Sequence, residues 1–345
     1  MALTPSPAPS LEPGRSLPET MRAASRRVYG SADEIEISVI ARPEPGPGEV
    51  LVRVAAAALD RATLHLLEGK PYLARLALGL RRPRRTTLGQ QVAGEVVALG
   101  SGVTGFAPGD AVFGTAAGSF AEFALARATT LAPRPAGISE STAASLGVSG
   151  LTAHQALVES GRVRPGQSVL VLGASGAVGT YAVQLATQLG AHVTGVCSAA
   201  KAELVQALGA RRTFDYLRTT LAQMGPGFDL IIDTAGNRPV RELRSALTPN
   251  GTLVIVGGEG GGPLLGGIER NLVAAIAGRF TSQRLGFLFS TPTTQRCTDL
   301  AQLIEAGTIE APVDRVVGLS GLRAGIEAMQ RGELRGHVII RPTAD

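Results

Sequence analysis

The chain has 345 residues, 44% hydrophobic and 18% charged, with 44 glycines and 21 prolines; this is enough length for two cores and a globular rather than a disordered composition. The net charge is +5, but only Lys70 and Lys201 are lysines, and the one dense basic cluster, Arg81, Arg82, Arg84 and Arg85 around Pro83, reads as a solvated loop rather than a nucleic-acid stripe. Two cysteines exclude a disulfide framework, the absence of Trp removes a base-stacking platform, and no apolar run is long enough to span a bilayer, so a cytoplasmic protein without nucleic-acid or membrane partners is expected.

Residues 1–20 are rich in Pro and Ser and lack the apolar stretch of a secretory signal; they are expected to form a disordered extension before the first regular pattern at Met21. From Val28 to about Phe123, strands are predicted over 34–40, 49–57, 92–99 and 110–114. They are divided by Pro43, Pro45, Gly46, Pro47 and Gly48, and by Gly100, Gly102, Gly105, Pro108 and Gly109. With no long helices between them, they read as a compact β-barrel-like domain. Near Ser139 the texture changes. Buried-looking strands at 168–172, 192–196, 228–233 and 252–256 alternate with helical stretches, which implies βαβ units on a parallel sheet. Between the first two, Val178, Ala182, Leu185, Ala186 and Leu189 share one helical face. After about Ala311 strands return, with one helix carrying Leu322, Ile326 and Met329 and a last strand over 337–340.

Residues 169–179, VLVLGASGAVG, read as strand, tight turn and helix. Ala174, Gly176 and Gly179 occupy the three places of a dinucleotide turn. Gly176 lets the backbone approach a pyrophosphate, Gly179 lets the helix pack on the strand, and the helix N-terminus offers free N–H groups. The candidate binding residues of this turn are Gly173, Ala174, Ser175, Gly176, Ala177, Val178 and Gly179. Cofactor choice falls at the end of the next strand, where an acid would hold the ribose of NAD. That strand ends Gly195-Val196-Cys197-Ser198 without an acid, and Lys201 follows. A hydroxyl and a cation suit a 2′-phosphate; the plainer reading is a helix-start Ser followed by an exposed Lys.

The run 94–110, GEVVALGSGVTGFAPGD, is similar to the signature of medium-chain dehydrogenases/reductases. Together with 173–179 it makes the chain resemble their zinc-free quinone oxidoreductase branch, which includes zeta-crystallin, over about 21–341. The resemblance implies an α/β fold: a GroES-like β-barrel substrate domain from 21–145 and 311–345, and a Rossmann domain with a doubly wound parallel sheet at 146–310. The active site would lie in the cleft between them. It also implies a homodimer, with the 270–289 stretch as the expected contact. NADP(H) is the implied cofactor, its 2′-phosphate met by Ser198, Lys201 and Tyr216 with Cys197 alongside. Thr152, Ala235, Gly236 and Gly257 fall where relatives pass near the ribose and nicotinamide.

Zinc relatives place a Cys in the first helix region and a Gly-His-Glu before the strand at Gly94. Asp60 and Gly89-Gln90-Gln91 stand there instead, and His65, His154, His192 and His337 have no ligand spacing, so no metal site is expected. Quinone-reductase relatives place an Asn at Asp60 and an Asp at Gln91. Asp60 is therefore a candidate catalytic acid–base group, or simply the partner of a nearby Arg. Tyr72 matches a family tyrosine at the cleft and is the second catalytic candidate, as proton donor or as a packing residue. The expected activity is metal-free hydride transfer from NADPH to a small-molecule quinone or α,β-unsaturated carbonyl. The alternatives are a tailoring reductase or alcohol dehydrogenase-like enzyme for one specialised metabolite, and a non-catalytic NADPH-binding module.

Overall fold

The computed structural model describes residues 17–257, 262, 264–305 and 309–344. The first half is built from β1 (Thr20–Ser25), β2 (Glu36–Ala41), β3 (Glu49–Ala58), β4 (Gln91–Leu99), β5 (Ala111–Thr115), β6 (Phe123–Arg127) and β7 (Leu131–Pro133). β1 and β2 form a small antiparallel pair, and β3 is the hub of a larger sheet, pairing antiparallel with both β4 and β6. Its alternation brings Val50, Val52 and Val54 into one core with Val92, Val96, Val112 and Phe120. Leu51, from the opposite face of β3, joins Met21, Ala23 and Phe123 in a second cluster.

The second half contains β8 (Ser168–Leu172), β9 (His192–Cys197), β10 (Arg212–Asp215), β11 (Phe228–Asp233), β12 (Leu247–Ile255) and β13 (Arg284–Phe287). They form one parallel sheet in the order β10-β9-β8-β11-β12-β13. Val169, Leu170, Val171 and Leu172 are all buried, as a central strand covered on both faces requires. β8 and β11 are neighbours although the chain has visited β9 and β10 between them, so the order reverses there, which is where open α/β sheets form a crevice beyond the C-terminal ends of their strands. β14 (Val313–Val317) and β15 (His337–Ile340) then return to the first sheet, where β15 pairs with β3.

Several expectations shift. β12 starts at Leu247 rather than near 252, and β1, β6, β7, β10 and β13 were not among the predicted strands. β10 and β13 have only four residues each, with sequences RTFD and RLGF that show no clean alternation, and tertiary pairing makes them strands. Of the expected extension, residues 1–16 lie outside the described residues. The rest belongs to the fold: Leu17 packs near Met21, Thr20 opens β1, and Arg42 donates its backbone N–H to the Glu19 carbonyl at 2.8 Å. Among the described residues no helix is long and apolar enough to cross a membrane.

A broken helix joins the halves. Regular turns at Glu140–Ser145 and Leu151–His154 alternate with wider, π-type turns at Leu146–Gly150 and Gln155–Ser160. Where the helix leaves the barrel, Gly147 lies so close to β5 that a Cβ would fall 2.1 Å from the Gly114 carbonyl oxygen.

His337 of β15 is fully buried against the helix Ala177–Gln188, its ring tilted over Tyr181 with centroids 5.3 Å apart. The Ala177 backbone lies alongside, but neither ring nitrogen meets a partner at hydrogen-bonding distance and angle. Burial lowers its pKa from 6.5 to about 4. The neutral ring is therefore compatible with the fold, and the stability it secures is complete above 6.5 and drains as pH falls toward 4, by about 3 kcal/mol in all. His337→Phe should flatten that part of the stability–pH curve, read by denaturant titration across the same interval. An unchanged slope would show that the ring is already protonated or solvated.

Candidate active site

β8 delivers the chain to Gly173, at φ 77°, a left-handed conformation suited to glycine. The N–H groups of Gly173 and Ala174 donate to the Val196 carbonyl of β9, and Gly176 donates back to Gly173 at 3.0 Å, which closes the turn. The helix Ala177–Gln188 then starts at Gly176 with no side-chain cap, so its first N–H groups face outward. A Cβ on Gly179 would sit 2.1 Å from the Gly173 carbonyl oxygen, which makes glycine obligatory for helix–strand contact. Above Gly176 the only atom within 4 Å of a built Cβ is that same oxygen, at 3.3 Å. The turn thus offers uncapped donors and open space, the features by which a helix N-terminus can receive a phosphate group.

β9 and β10 bring the next candidates together. Ser198 directly follows β9, Lys201 donates its backbone N–H to the Ser198 carbonyl at 2.9 Å, and Tyr216 donates its own to Cys197 at 3.3 Å. Lys201 Nζ reaches the Gly332 carbonyl at 2.6 Å, with Asp314 and Arg335 in its field. Partial burial holds its ammonium below the usual lysine value, and burial pushes the Cys197 thiol up. The Tyr216 side chain is half exposed.

At the other side of the crevice Asp233 ends β11 with no exposed surface. Its Oδ1 accepts from Gly236 N at 2.9 Å, and its carbonyl accepts from Val256 and Gly257. One residue therefore sets the positions of Gly236 and Gly257, and a Cβ on Gly257 would lie 2.4 Å from the Thr234 carbonyl oxygen. Ala235 lies within this loop, whereas Thr152 is buried in the joining helix. Arg270 donates Nη2 to Asp233 Oδ2, while its Nε and Nη1 are buried without partners. Sequence reasoning passed over both Asp233 and Arg270. The available signal was an acid at a strand's C-terminal end, at the point where strand order reverses.

Asp60 is 5% exposed and caps the helix Arg61–Glu68. Its Oδ1 accepts from Thr63 N at 2.8 Å and Thr63 Oγ1 at 2.9 Å, and its Oδ2 accepts from Gln91 Nε2 at 3.1 Å. Gln91 Oε1 in turn accepts the N–H groups of Val148 and Ser149, at 2.9 and 3.1 Å, where the joining helix widens. The Asp60 carboxylate is thus held by a threonine and an amide, where an arginine partner was one of two alternatives. Burial pushes its carboxyl up, against the pull of these hydrogen bonds. Tyr72 is elsewhere and 43% exposed, its ring 4.6 Å from the Arg75 guanidinium, and the N–H of the neighbouring Leu73 donates to Leu264 across the domain junction. Among the described residues no three His, Cys, Asp or Glu side chains gather as a metal would require.

Comparison with known proteins agrees with this geometry. Residues 46–158 match the family described as alcohol dehydrogenase GroES-like domain, and residues 177–304 match that described as zinc-binding dehydrogenase. The quinone oxidoreductase of Mus musculus is 31% identical over 86% of this chain and 89% of its own. The chain belongs to the medium-chain dehydrogenases/reductases, among the quinone oxidoreductase-like proteins. The trans-enoyl reductase pgmF of Aspergillus terreus is 30% identical over 86% of this chain and 87% of its own. The solved quinone oxidoreductase from Coxiella burnetii superposes with a TM-score of 0.80 at 25% identity, over 93% of this chain and 99% of that one.

In this superfamily member the sequence departures at Asp60 and Gln91 explain one another. Where the resemblance expects an amide at 60 and a carboxylate at 91, the two chemistries have changed places, so an amide still donates to a carboxylate. Asp60→Asn alone sets a donor against the Gln91 donor, and Gln91→Glu alone sets two buried carboxylates together; each should cost about 1–3 kcal/mol. The double variant Asp60→Asn/Gln91→Glu should recover most of that loss in a denaturant-based double-mutant cycle. Additive losses would show that the pair is not coupled.

Proposed function

We propose that the protein is an NADPH-dependent, metal-independent reductase of quinones or α,β-unsaturated carbonyls. The observation that carries this reading is the set of chain ends around the crevice. The uncapped helix at Gly176 offers donors to a pyrophosphate, and the end of β9 presents Ser198 and Lys201 in place of an acid. Gly236 and Gly257, both held by Asp233, follow the C-terminal ends of β11 and β12. A nicotinamide dinucleotide held by these residues would supply the hydride.

This chain's residues have the remaining tasks of orienting and protonating. The Asp60–Gln91 pair holds the widened turn at Val148 and Ser149, so Asp60 acts as a positioning residue rather than as an acid open to substrate. For the proton that reduction requires, the resemblance offers the hydroxyl of Tyr72, which is 43% exposed and next in sequence to the Leu73–Leu264 hydrogen bond. By the resemblance, Asp60 stands where zinc relatives carry a Cys and Gln90-Gln91 where they carry His-Glu, and the polar atoms of Asp60 and Gln91 are engaged with protein donors and acceptors. That donor set supports metal independence. The relatives named quinone oxidoreductase and enoyl reductase share an electron-poor conjugated acceptor as the chemical theme.

Oxidation of NADPH and NADH, followed by nicotinamide absorbance against a panel of quinones and enones, tests the reading. Turnover should be faster with NADPH and insensitive to chelator. Lys201→Ala should raise the KM for NADPH about tenfold while leaving NADH nearly unchanged. An equal loss with both cofactors would remove Lys201 from phosphate recognition, and inactivity toward every acceptor in NADPH-binding protein would reject the reductase assignment.

The same reading includes a homodimer formed at β13, which among the described residues pairs with β12 alone and ends the sheet. Leu272, Ile276, Phe280 and Phe289 are exposed on the elements flanking it, Phe280 at 85%. Light scattering should give the mass of two chains, and Leu272→Asp/Phe289→Asp the mass of one. A wild-type monomer would dismiss this contact.

A further inference from the structure

The segment 71–87, PYLARLALGLRRPRRTT, contains five arginines and no acidic residue. Sequence alone reads its cluster as a solvated loop with no membrane partner; the structure adds an apolar face beside it. The short helical turns Tyr72–Ala74 and Arg75–Leu78 leave Leu73, Leu76 and Leu80 exposed, the last two at 63% and 67%. Arg81, Arg82, Arg84 and Arg85 are exposed directly after them and make no ion pair with a carboxylate among the described residues.

The segment is also held firmly. Arg75 stacks between the rings of Tyr29 and Tyr72, at 4.4 and 4.6 Å, and donates to the Glu68 and Gly69 carbonyls. Tyr29 Oη donates to the Gly79 carbonyl, and Arg84 N to Leu78. Leucines and unpaired arginines are thus presented together on a braced surface. Such leucines are costly to leave in water in a patch, and phosphate-backbone recognition gives them no role. A bilayer interface accepts both, because aliphatic tips enter the acyl boundary while guanidinium groups meet anionic headgroups.

We infer that this surface docks the protein on an anionic lipid bilayer. Because Leu73 hydrogen-bonds to Leu264 of the Rossmann domain, the docked face borders the domain junction. Use of that proximity to admit a lipophilic acceptor rests on the reductase reading above, whereas docking itself does not.

Co-sedimentation of the full chain with vesicles, without cofactor or substrate, separates the two. The protein should pellet with phosphatidylcholine–phosphatidylglycerol vesicles and stay in solution with phosphatidylcholine alone. Arg81→Glu/Arg82→Glu and Leu76→Ser/Leu80→Ser should each weaken binding about tenfold or more, with thermal unfolding unchanged because all four side chains are exposed. Failure to pellet with either vesicle overturns the proposal. So does binding that ignores the leucine substitutions and is abolished by heparin, which would make the patch a site for a soluble polyanion or an acidic protein.

Discussion

The site depends on one amide. Gln91 leaves β4 inside the barrel, and its two ends face different parts of the molecule: the NH2 group donates to the helix-capping carboxylate of Asp60, and the oxygen accepts two backbone N–H groups from the joining helix. A helix that widens into a π-type turn offers N–H groups that its own ladder does not take up, and Gln91 takes those of Val148 and Ser149. Because every one of these groups is buried or nearly so, loss of any partner strands another. The direction of the helix that carries the chain from barrel to parallel sheet is therefore tied to a side chain of the barrel.

A second constraint works through backbone contact alone. Gly179 against the Gly173 carbonyl, and Gly257 against the Thr234 carbonyl, are approaches too close for any Cβ. They bring the ends of β8, β11 and β12 to the same crevice. Asp233 anchors this arrangement from below, and Arg270, with two buried donors unused, concentrates positive charge beside it.

Much of this was legible beforehand. β8, β11 and β15 have the bounds predicted from their apolar runs, and β9 agrees to within a residue, because strands buried on both faces must be continuously apolar. The turn at 173–179 was readable because glycine spacing reports backbone approach directly. The short strands β10 and β13 were not readable, since an edge strand of four mixed residues carries no periodic signal and owes its shape to its neighbour. Asp60 illustrates a different limit. Its identity marked it as unusual, but local sequence contained nothing about Gln91, 31 residues away, or about which of them would donate.

The amino-acid order by itself determined the two-part architecture, the dinucleotide turn and the absence of an acid after β9, since each is written in contiguous residues whose periodicity or lack of Cβ acts locally. Tertiary structure decided that Asp60 answers to Gln91 rather than to an arginine and that Asp233 organises two glycines 21 residues apart. It also decided that the leucines beside the arginine cluster face outward. The physical reason is common to all three: hydrogen-bond partners and solvent exposure are properties of what packs alongside a residue, and the residues alongside come from distant parts of the chain.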